Sequence, residues 1–457
     1  MYDQEYGGYD SEYSEQVADS GPCGKLCGGF ATMCIGIFAF PIALFLLGWN
    51  ENRYVCEDKK IIYAEAHAKP VGCDASKIYD TFAFFSCPLD PASMERYQLC
   101  TFNEGKYACD NSVVFRAPSA SQVVEMYQCH EDCKTEKKKN NLGQNVETRT
   151  CTYKPGWYEQ PIDSSTFHAS MNQVAANCPG FRNAGGNPRF PDNLVPGTTS
   201  DSASTLRTAG AAGYTLNHDL VERLTPNAPV ALAPYARNFS GPLVTNQPWT
   251  RPLQVTKSNL AVNGNYLETC GAQTGYQVGC VRISFMKSAA TQATVVAFVT
   301  NSGRTQAAQV PGSWGCSRSH MQEIAGSKMT KEGFIKDLHD KNYTMTWIVR
   351  FAGMIFACMA VCCCLQPIAA AADVLGDFVN WCPCGGFVED AIEGLVDTAI
   401  CCVGCSTGMA ASMFVIALVW VAMRPMWGIG FLVVGCCCCC GACGTIMACR
   451  KNKGGIE

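Results

Sequence analysis

Four long apolar runs limit what this chain can fold into. One lies near the N-terminus at residues 30–49, and three follow the polar middle of the chain, at residues 345–366, 398–423 and 426–448. A helix of about 20 apolar residues spans a hydrocarbon core of roughly 30 Å. The pattern therefore predicts an integral membrane protein with one N-terminal and three C-terminal transmembrane helices. Arg350, one turn inside the second run, is expected to extend to the lumenal surface.

The polar middle, residues 50–344, is long enough for a large domain outside the membrane. Its short apolar runs alternate with turn residues, a pattern typical of strands. These runs lie at residues 60–67, 81–85, 96–102, 123–129, 146–153, 277–285 and 293–300. Residues 180–262, rich in Gly, Pro, Ser and Asn, predict a long loop or insertion. We therefore predict an α+β membrane protein with a β-rich middle domain and a helix at residues 330–340 leading into the membrane.

The remaining segments carry their own signals. Residues 1–29 are acidic and tyrosine-rich with few aliphatic side chains, which predicts a disordered tail. Residues 367–397 mix apolar side chains with several acids, which favours an amphipathic segment in the membrane interface after Pro367 ends the second span. Arg424-Pro425 predicts a tight turn between the last two spans, and residues 449–457 form a basic cytosolic tail.

The 31 cysteines fall into two classes. Twelve are scattered through the middle domain in an even number, which predicts a disulfide framework, with buried free thiols as the alternative. They are Cys56, Cys73, Cys87, Cys100, Cys109, Cys129, Cys133, Cys151, Cys178, Cys270, Cys280 and Cys316. Disulfides form in oxidising compartments, so we expect a lumenal domain and, with four spans, both chain ends in the cytosol or nucleoplasm. We also expect Cys129 or Cys133 to pair in or near the hairpin of residues 123–153.

Two sequons, at Asn238 and Asn342, are glycosylation candidates that suit a lumenal domain. The other nineteen cysteines lie in or beside the apolar runs, where most are expected to fill space between closely packed helices. Cys23, Cys27 and Cys449, near the membrane surface, are acylation candidates.

Two groups of residues suggest a metal site. Cys382 and Cys384 with Cys401, Cys402 and Cys405 offer thiolates on the cytosolic side, and His130 stands beside Cys129 and Cys133. The Cys-x-Cys spacing is unusual for a zinc site, and oxidised cysteines account for the second group. We therefore predict no metal and no cofactor.

The chain carries no phosphate-binding glycine loop, no His-Glu-x-x-His and no Gly-x-Ser-x-Gly, so no enzyme is predicted. Its net charge of −4 gives no reason to expect nucleic-acid binding. The expected partners are membrane lipid, other membrane proteins and further copies of the chain.

Four groups of residues follow the pattern of one family. The first span ends in Trp49-Asn50-Glu51-Asn52-Arg53. The middle domain carries Val124-Glu125-Met126-Tyr127-Gln128, Thr150-Cys151-Thr152-Tyr153, Trp157, Ile162-Asp163-Ser164-Ser165 and Phe167-His168, and later Val281-Arg282-Ile283-Ser284-Phe285. The C-terminal region carries Thr346-Trp347, Arg350, Gly353, Val374-Leu375-Gly376-Asp377, Ala417-Leu418-Val419-Trp420 and Arg424-Pro425. With these residues the chain resembles the transmembrane protein 43 family, also called LUMA.

This resemblance implies a non-enzymatic scaffold of the endoplasmic reticulum and inner nuclear membrane that organises membrane-protein complexes. The tail and residues 180–262 look like additions to the family pattern. A first alternative is an accessory subunit of a cell-surface, ciliary or organellar assembly. A second is a redox or metal-binding membrane protein that uses the cytosolic-side cysteines.

Overall fold

The computed structural model describes residues 13–17, 22–78, 80–103, 106–139, 145–239, 241, 255–270, 275–379 and 385–423. The chain divides into two compact units. The sheet unit comprises Met1–Asp19, Lys69–Ala308 and Gln322–Thr330, and the helix unit comprises Ser20–Ala68, Gln309–Met321 and Lys331–Glu457.

Three long helices build the described part of the helix unit, and three short ones belong to the sheet unit. In chain order they are α1 (Pro22–His67), α2 (Met171–Asn177), α3 (Phe181–Ala184), α4 (His218–Val221), α5 (Lys331–Val379) and α6 (Gly385–Met423). Within the described residues, three stretches are long and apolar enough to cross a membrane: Cys27–His67, Lys331–Ala371 and Thr398–Met423. The fourth predicted span, residues 426–448, the turn at Arg424-Pro425 and the basic tail lie outside the described residues.

The long helices continue where the sequence predicted breaks. Residues 60–67, predicted as a strand, are the last two turns of α1, because Ile61 and Ala64 are buried at helical spacing. Pro367 was predicted to end the second span, but it lies inside α5, which runs on to Val379. The predicted interfacial segment is therefore divided between the end of α5 and the start of α6, which begins at Gly385.

Glycines mark the close crossings of these helices. A methyl group added at Gly36 of α1 would overlap the backbone of α5 at Ala360 and Cys364. A methyl group added at Gly408 of α6 would lie 2.7 Å from backbone atoms of Cys358. Small residues let helix backbones approach in a membrane, where apolar side chains gain nothing by leaving lipid.

The strands of the described residues run from the tail to the start of α5. They are β1 (Tyr13–Val17), β2 (Lys69–Pro70), β3 (Thr81–Pro88), β4 (Glu95–Asn103), β5 (Lys106–Ala117), β6 (Ser119–Lys139), β7 (Asn145–Tyr158), β8 (Gly197–Ser202), β9 (Leu206–Arg207), β10 (Thr215–Leu216), β11 (Ala228–Pro229), β12 (Ala261–Asn263), β13 (Tyr266–Glu268), β14 (Val281–Lys287), β15 (Gln292–Val299), β16 (Thr305–Gln306), β17 (Ala308–Val310), β18 (Ser319–Met321) and β19 (Glu323–Ala325).

Two sheets carry most of the sheet unit. The larger has the order β1-β7-β6-β14-β13-β12, with β8 also paired to β6 and β11 to β14. The second has the order β16-β15-β3-β2, with β19 paired to β15. Smaller pairs are β4–β5, β9–β10 and β17–β18. The strands predicted near residues 81, 96, 123, 146, 277 and 293 are thereby confirmed as β3, β4, β6, β7, β14 and β15.

Residues 180–262 were predicted as a loop with little structure of its own, and this prediction is wrong for the part described. Leu206, Tyr214, Leu216 and Leu220 from this stretch are fully buried in the core beside the second sheet. The Tyr214 ring stacks on Phe85 of β3 with 4.0 Å between centroids. The sequence did not predict this burial, because the apolar residues of the stretch follow neither a helical nor a strand period.

The acidic tail also departs from expectation. Strand β1 pairs antiparallel with β7, from Tyr13 opposite Cys151 to Val17 opposite Glu147. The sequence predicted disorder here, whereas the structure gives residues 13–17 an extended backbone, which tyrosine and valine favour. Helix α1 already begins at Pro22, inside the segment assigned to the tail.

Candidate functional site

A buried ion pair joins α1 to α5 in the helix unit. The carboxylate of Glu51 accepts two hydrogen bonds from Arg350, Nε to Oε1 and Nη2 to Oε2, each of 2.6 Å. The Glu51 side chain is 0% exposed and that of Arg350 is 12% exposed. This two-point geometry matches a planar guanidinium to a carboxylate. A charge this deeply buried is costly without its partner, so each residue depends on the other.

Helix α6 completes the arrangement. The Trp420 indole N–H donates to Glu51 Oε2 at 2.7 Å, and the Trp420 ring stacks with Tyr54 of α1. The guanidinium of Arg350 lies 4.9 Å from the ring centroid of Trp347 and 5.8 Å from that of Tyr54. Such contacts stabilise a cation away from water. We call Glu51, Arg350 and Trp420 the helix clamp.

Further polar contacts lie beside the helix clamp. Asn50 and Thr346 are both 0% exposed, and the Asn50 amide donates to the Thr346 carbonyl at 3.2 Å. Arg53 donates to Asn50 Oδ1 and to Thr346 Oγ1, each at 3.3 Å. The two bonds to Thr346 cross from α1 to α5, whereas the Arg53–Asn50 bond lies within α1 and orients the side chains that cross.

The polar outer parts of α1 and α5 are also joined. His339 Nδ1 lies 3.0 Å from Asp58 Oδ1, and the Asn342 amide donates to the Tyr54 carbonyl at 3.1 Å. Lys331 donates at 2.7 Å to the carbonyl of Ala68, just beyond the last turn of α1, where carbonyls lack helical partners. The pair is therefore connected from the helix clamp to its outer end.

Two predictions about this region change. Arg350 was expected to extend to the lumenal surface, but it is paired with Glu51 instead. Asn342 is 8% exposed and its amide nitrogen, the atom that a glycan would occupy, is hydrogen-bonded, which weighs against it as an acceptor. The sequence did contain a pattern that indicates the Glu51–Arg350 pair. An acid and an arginine at the lumenal ends of two apolar runs can lie at the same depth in the membrane.

The helix clamp uses every oxygen of its carboxylate. Oε1 accepts from Arg350, and Oε2 accepts from both Arg350 and Trp420. A general base needs a lone pair directed at a substrate, whereas these lone pairs are directed at neighbouring helices. The arrangement can hold three helices in register.

Among the described residues, ten of the twelve predicted cysteines lie in five pairs at disulfide distance. The pairs are Cys56–Cys316, Cys73–Cys87, Cys129–Cys178, Cys133–Cys151 and Cys270–Cys280. Cys133 pairs within the β6–β7 hairpin, as expected of it or Cys129. Cys100 and Cys109 are opposite each other in the β4–β5 ladder.

A cluster of four residues of metal-ligating types includes one of these pairs, Cys133–Cys151. The side-chain ligand atoms of Glu131, Cys133, Cys151 and His168 all lie within 4.8 Å of one another. His168 Nδ1 is 2.9 Å from Glu131 Oε2 and 3.9 Å from Cys133 Sγ. Burial raises the pKa of Glu131, but hydrogen bonds from Tyr153 and His168 outweigh it and hold the pKa below its ordinary value.

A second Glu–Arg pair lies in the large sheet. Arg282 of β14 donates to both carboxylate oxygens of Glu125 on β6, at 2.6 and 2.8 Å. Its guanidinium lies 4.5 Å from the ring centroids of both Trp157 and Tyr266. Residues that carry the family resemblance therefore contact one another in both units, Glu51 with Arg350 between helices and Glu125 with Arg282 between strands.

A cavity of about 650 Å³ opens beside the loop that follows β7. Its lining includes Ile162, Phe167, Met171, Phe181 and Arg189. The rings of Phe167 and Phe181 are nearly parallel, with centroids 6.0 Å apart. The cavity is therefore apolar in its aromatic part and polar where Arg189 is exposed.

The other predicted site residues are dispersed. Cys27 is exposed with a free thiol, Cys23 lies in the first turn of α1, and Cys449 lies outside the described residues. Of the predicted thiolate group, Cys401, Cys402 and Cys405 lie on α6, whereas Cys382 and Cys384 fall outside the described residues. Asn238 is exposed, although its amide donates to the Ser112 carbonyl at 2.6 Å.

The three apolar helices and the clamp between them define an integral membrane protein. A sequence model of the family described as transmembrane protein 43 matches residues 126–179 and 192–425, more than half of the chain. The chain belongs to the transmembrane protein 43 family. Searches of curated proteins and of solved structures returned no significant match.

The extent of the family match corrects one expectation. Residues 180–262 looked like an addition to the family pattern, but the family model matches this stretch from residue 192 onward. The acidic tail lies outside the matched residues.

Proposed function

We propose that the protein is a non-enzymatic scaffold that organises protein complexes in the endoplasmic reticulum and inner nuclear membrane. Membership of the transmembrane protein 43 family supports this proposal. The observation that carries it is the helix clamp, in which both oxygens of a fully buried carboxylate are used to join three helices. All contacts of this buried carboxylate fix the positions of the three helices relative to one another, as a scaffold requires.

The proposal places Lys69–Ala308 and Gln322–Thr330 of the sheet unit in the lumen, and both chain ends in the cytosol or nucleoplasm. The cysteine pairs of the sheet unit support a lumenal position, because disulfides persist in oxidising compartments. Contacts to other membrane proteins, or to further copies of the chain, are then made by the lumenal surface and by the lipid-facing sides of the helices.

Proximity labelling and affinity purification of the tagged full chain test the scaffold. Arg350→Met breaks the helix clamp, and the expected result is loss of most wild-type neighbours at equal protein level. Lys341→Ala is the matched control, because Lys341 is on the same helix in an exposed ion pair with Asp337. An unchanged set of neighbours with Arg350→Met would contradict the proposal. Imaging at the cell surface or cilium instead of the nuclear envelope would favour the accessory-subunit alternative.

Protease protection in sealed microsomes tests the topology. If α1 crosses the membrane once, β1 and β7 lie on opposite sides of it. Such a crossing is therefore incompatible with the pairing of β1 to β7. We expect protease outside the vesicle to remove tags at both chain ends. Protection of the N-terminal tag alone would support the β1–β7 pairing and remove α1 as a crossing.

A further inference from the structure

We propose that Glu131, Cys133, Cys151 and His168 form a zinc site when the Cys133–Cys151 bond is reduced. The proposal is independent of the scaffold function. Two thiolates, an imidazole and a carboxylate are the ligand types that Zn²⁺ accepts in a tetrahedral site, whereas Ca²⁺ and Mg²⁺ prefer oxygen ligands. In the part of the chain that the structure describes, this is the group in which four such atoms lie within 4.8 Å.

The sheet holds three of the ligands without help from the disulfide. Glu131 and Cys133 are two residues apart on β6 and therefore share a face. Cys133 is directly opposite Cys151 in a β6–β7 ladder that runs from Met126 to Lys139. Reduction removes one covalent bond, and the ladder keeps the two sulfurs facing each other.

The fourth ligand is fixed by its neighbours. The backbone N–H of His168 donates to Glu131 Oε1 at 2.7 Å, and that of Ala169 donates to the Tyr153 hydroxyl at 2.9 Å. Tyr153 itself donates to Glu131 Oε1 at 2.5 Å. Oε1 is thereby occupied, and Oε2 faces His168 Nδ1. Outer hydrogen bonds of this kind orient the ligands of zinc sites.

The proton on His168 lies where the metal would bind. Arg149 donates to Nε2 at 2.9 Å, and since a guanidinium can only donate, the proton of the neutral ring is on Nδ1 and is shared with Glu131 Oε2. Zinc takes the place of this proton between Nδ1 and Oε2. The ring proton moves to Nε2, and the Arg149 side chain turns away from it.

The chemistry balances with a small-molecule thiol as reductant. Two thiol molecules break the Cys133–Cys151 bond and join in a disulfide of their own, while each cysteine sulfur takes up one proton. Zinc then binds both sulfurs as thiolates and releases those two protons to solvent. Hydrogen peroxide would reverse the binding. It takes two electrons from the two thiolates and two protons from solvent and leaves as two water molecules, while the Cys133–Cys151 bond forms again and the zinc ion is released.

Zinc content of the purified full chain in detergent tests the site. The protein is reduced, freed of reductant under nitrogen, equilibrated with zinc and freed of excess metal before elemental analysis. Reduction also opens the other cysteine pairs, and those thiols and the free cysteines of the helices are the same in every variant, so the difference between variants reports this site. We expect His168→Ala to hold about one zinc ion fewer per chain than wild type. His218→Ala, an exposed histidine paired with Glu222, is the matched control and should equal wild type.

Two further variants keep the test decisive if His168→Ala disturbs folding. Tyr153→Phe retains all four ligands and should lower zinc affinity by about 10–100-fold through loss of its bond to Glu131. The double variant Cys133→Ser with Cys151→Ser should lose the same single ion as His168→Ala. Equal zinc in wild type, His168→Ala and the double variant would overturn the proposal.

Discussion

The Glu51–Arg350 pair of the helix unit and the Glu125–Arg282 pair of the sheet unit place the same side chains in different surroundings. In both, an arginine donates to two carboxylate oxygens and lies against two aromatic rings. In the sheet, Arg282 is directly opposite Glu125 in the β6–β14 ladder, so seven backbone positions already hold the strands in register. Between α1 and α5 no such ladder exists, since each helix satisfies its own backbone.

This difference shows what each pair contributes. Strand pairing sets the position of Arg282, and its contact with Glu125 adds to a register that already exists. The helices have no hydrophobic drive to associate in lipid, so close packing and polar contacts decide their register. The Glu51–Arg350 pair should therefore matter more for its unit than Glu125–Arg282 does for the sheet.

Breaking the helix pair should have the largest effect. Arg350→Met leaves the fully buried Glu51 without its cation, and the expected loss is about 3–5 kcal/mol of unfolding free energy. Denaturant unfolding in detergent, followed by helical circular dichroism, measures it. Adding Glu51→Gln to Arg350→Met should recover part of the loss, because the buried charge is then gone. No recovery would show that packing, rather than uncompensated charge, sets the cost.

Breaking the sheet pair should cost less. Arg282→Met removes hydrogen bonds to a carboxylate that is 15% exposed, with an expected loss of about 1.5–3 kcal/mol while the ladder persists. Thermal unfolding of the two methionine variants, measured side by side, gives the comparison directly. A loss equal to that of Arg350→Met would mean that the ladder gives the sheet no advantage.

Glycine substitutions separate close packing from charge in the helix unit. Gly408→Ala places a methyl group 2.7 Å from the Cys358 backbone, so the helices must separate, at a cost of about 1–3 kcal/mol. Gly48→Ala is the matched control, because its methyl group meets Val415 at an ordinary 3.5 Å. Crosslinking between α5 and α6 should fall in Gly408→Ala alone. Equal crosslinking in both variants would contradict the close crossing.

The smallest expected effect is a dependence on pH in the sheet unit. Burial raises the pKa of Glu268 above 4.5, although hydrogen bonds from Asn263 and Tyr276 and the charge of Arg282 oppose the shift. The folded chain then binds more protons than the unfolded chain between the two pKa values, so this group lowers stability as pH rises through that window. Glu268→Gln should therefore be more stable than wild type at neutral pH and equal to it below about pH 4.5. Thermal unfolding measured across pH gives the difference in stability between the two proteins. A stability gain of Glu268→Gln that grows as pH falls would contradict the prediction.

Local pattern in the sequence was enough to predict much of this fold. The strand near residue 81 is a short apolar run bounded by turn residues, and the one near residue 146 alternates polar residues with valine, threonine and tyrosine. They are present as β3 and β7. Residues 60–67 were misassigned because Ile61 and Ile62 suit a strand, whereas contact with α5 continues the helix. Packing against α5, which is distant in the sequence, therefore outweighs the local strand propensity of these residues.

The candidate sites were harder to predict, because they depend on contacts between distant residues. Glu51 and Trp420 are 369 residues apart, and nothing local to either indicates the other. His168 reaches Glu131 from a loop, so no fixed spacing could suggest the cluster of four ligands. Cys133 was easier to place, since its partner is opposite it in the hairpin that the turn residues predict.

The outer part of the α1–α5 pair has a mechanical consequence. From Asn52 to the end of α1 at His67 the helix extends roughly 25 Å past the clamp, at 1.5 Å per residue. The Asp58–His339 pair and the Asn342–Tyr54 bond join it to α5 along this length. Because α1 is joined to α5 at the clamp and at both of these contacts, it cannot turn about its own axis without breaking them. The two helices therefore act as one stiff lever, and a small tilt at the clamp becomes a larger sideways displacement at the outer end.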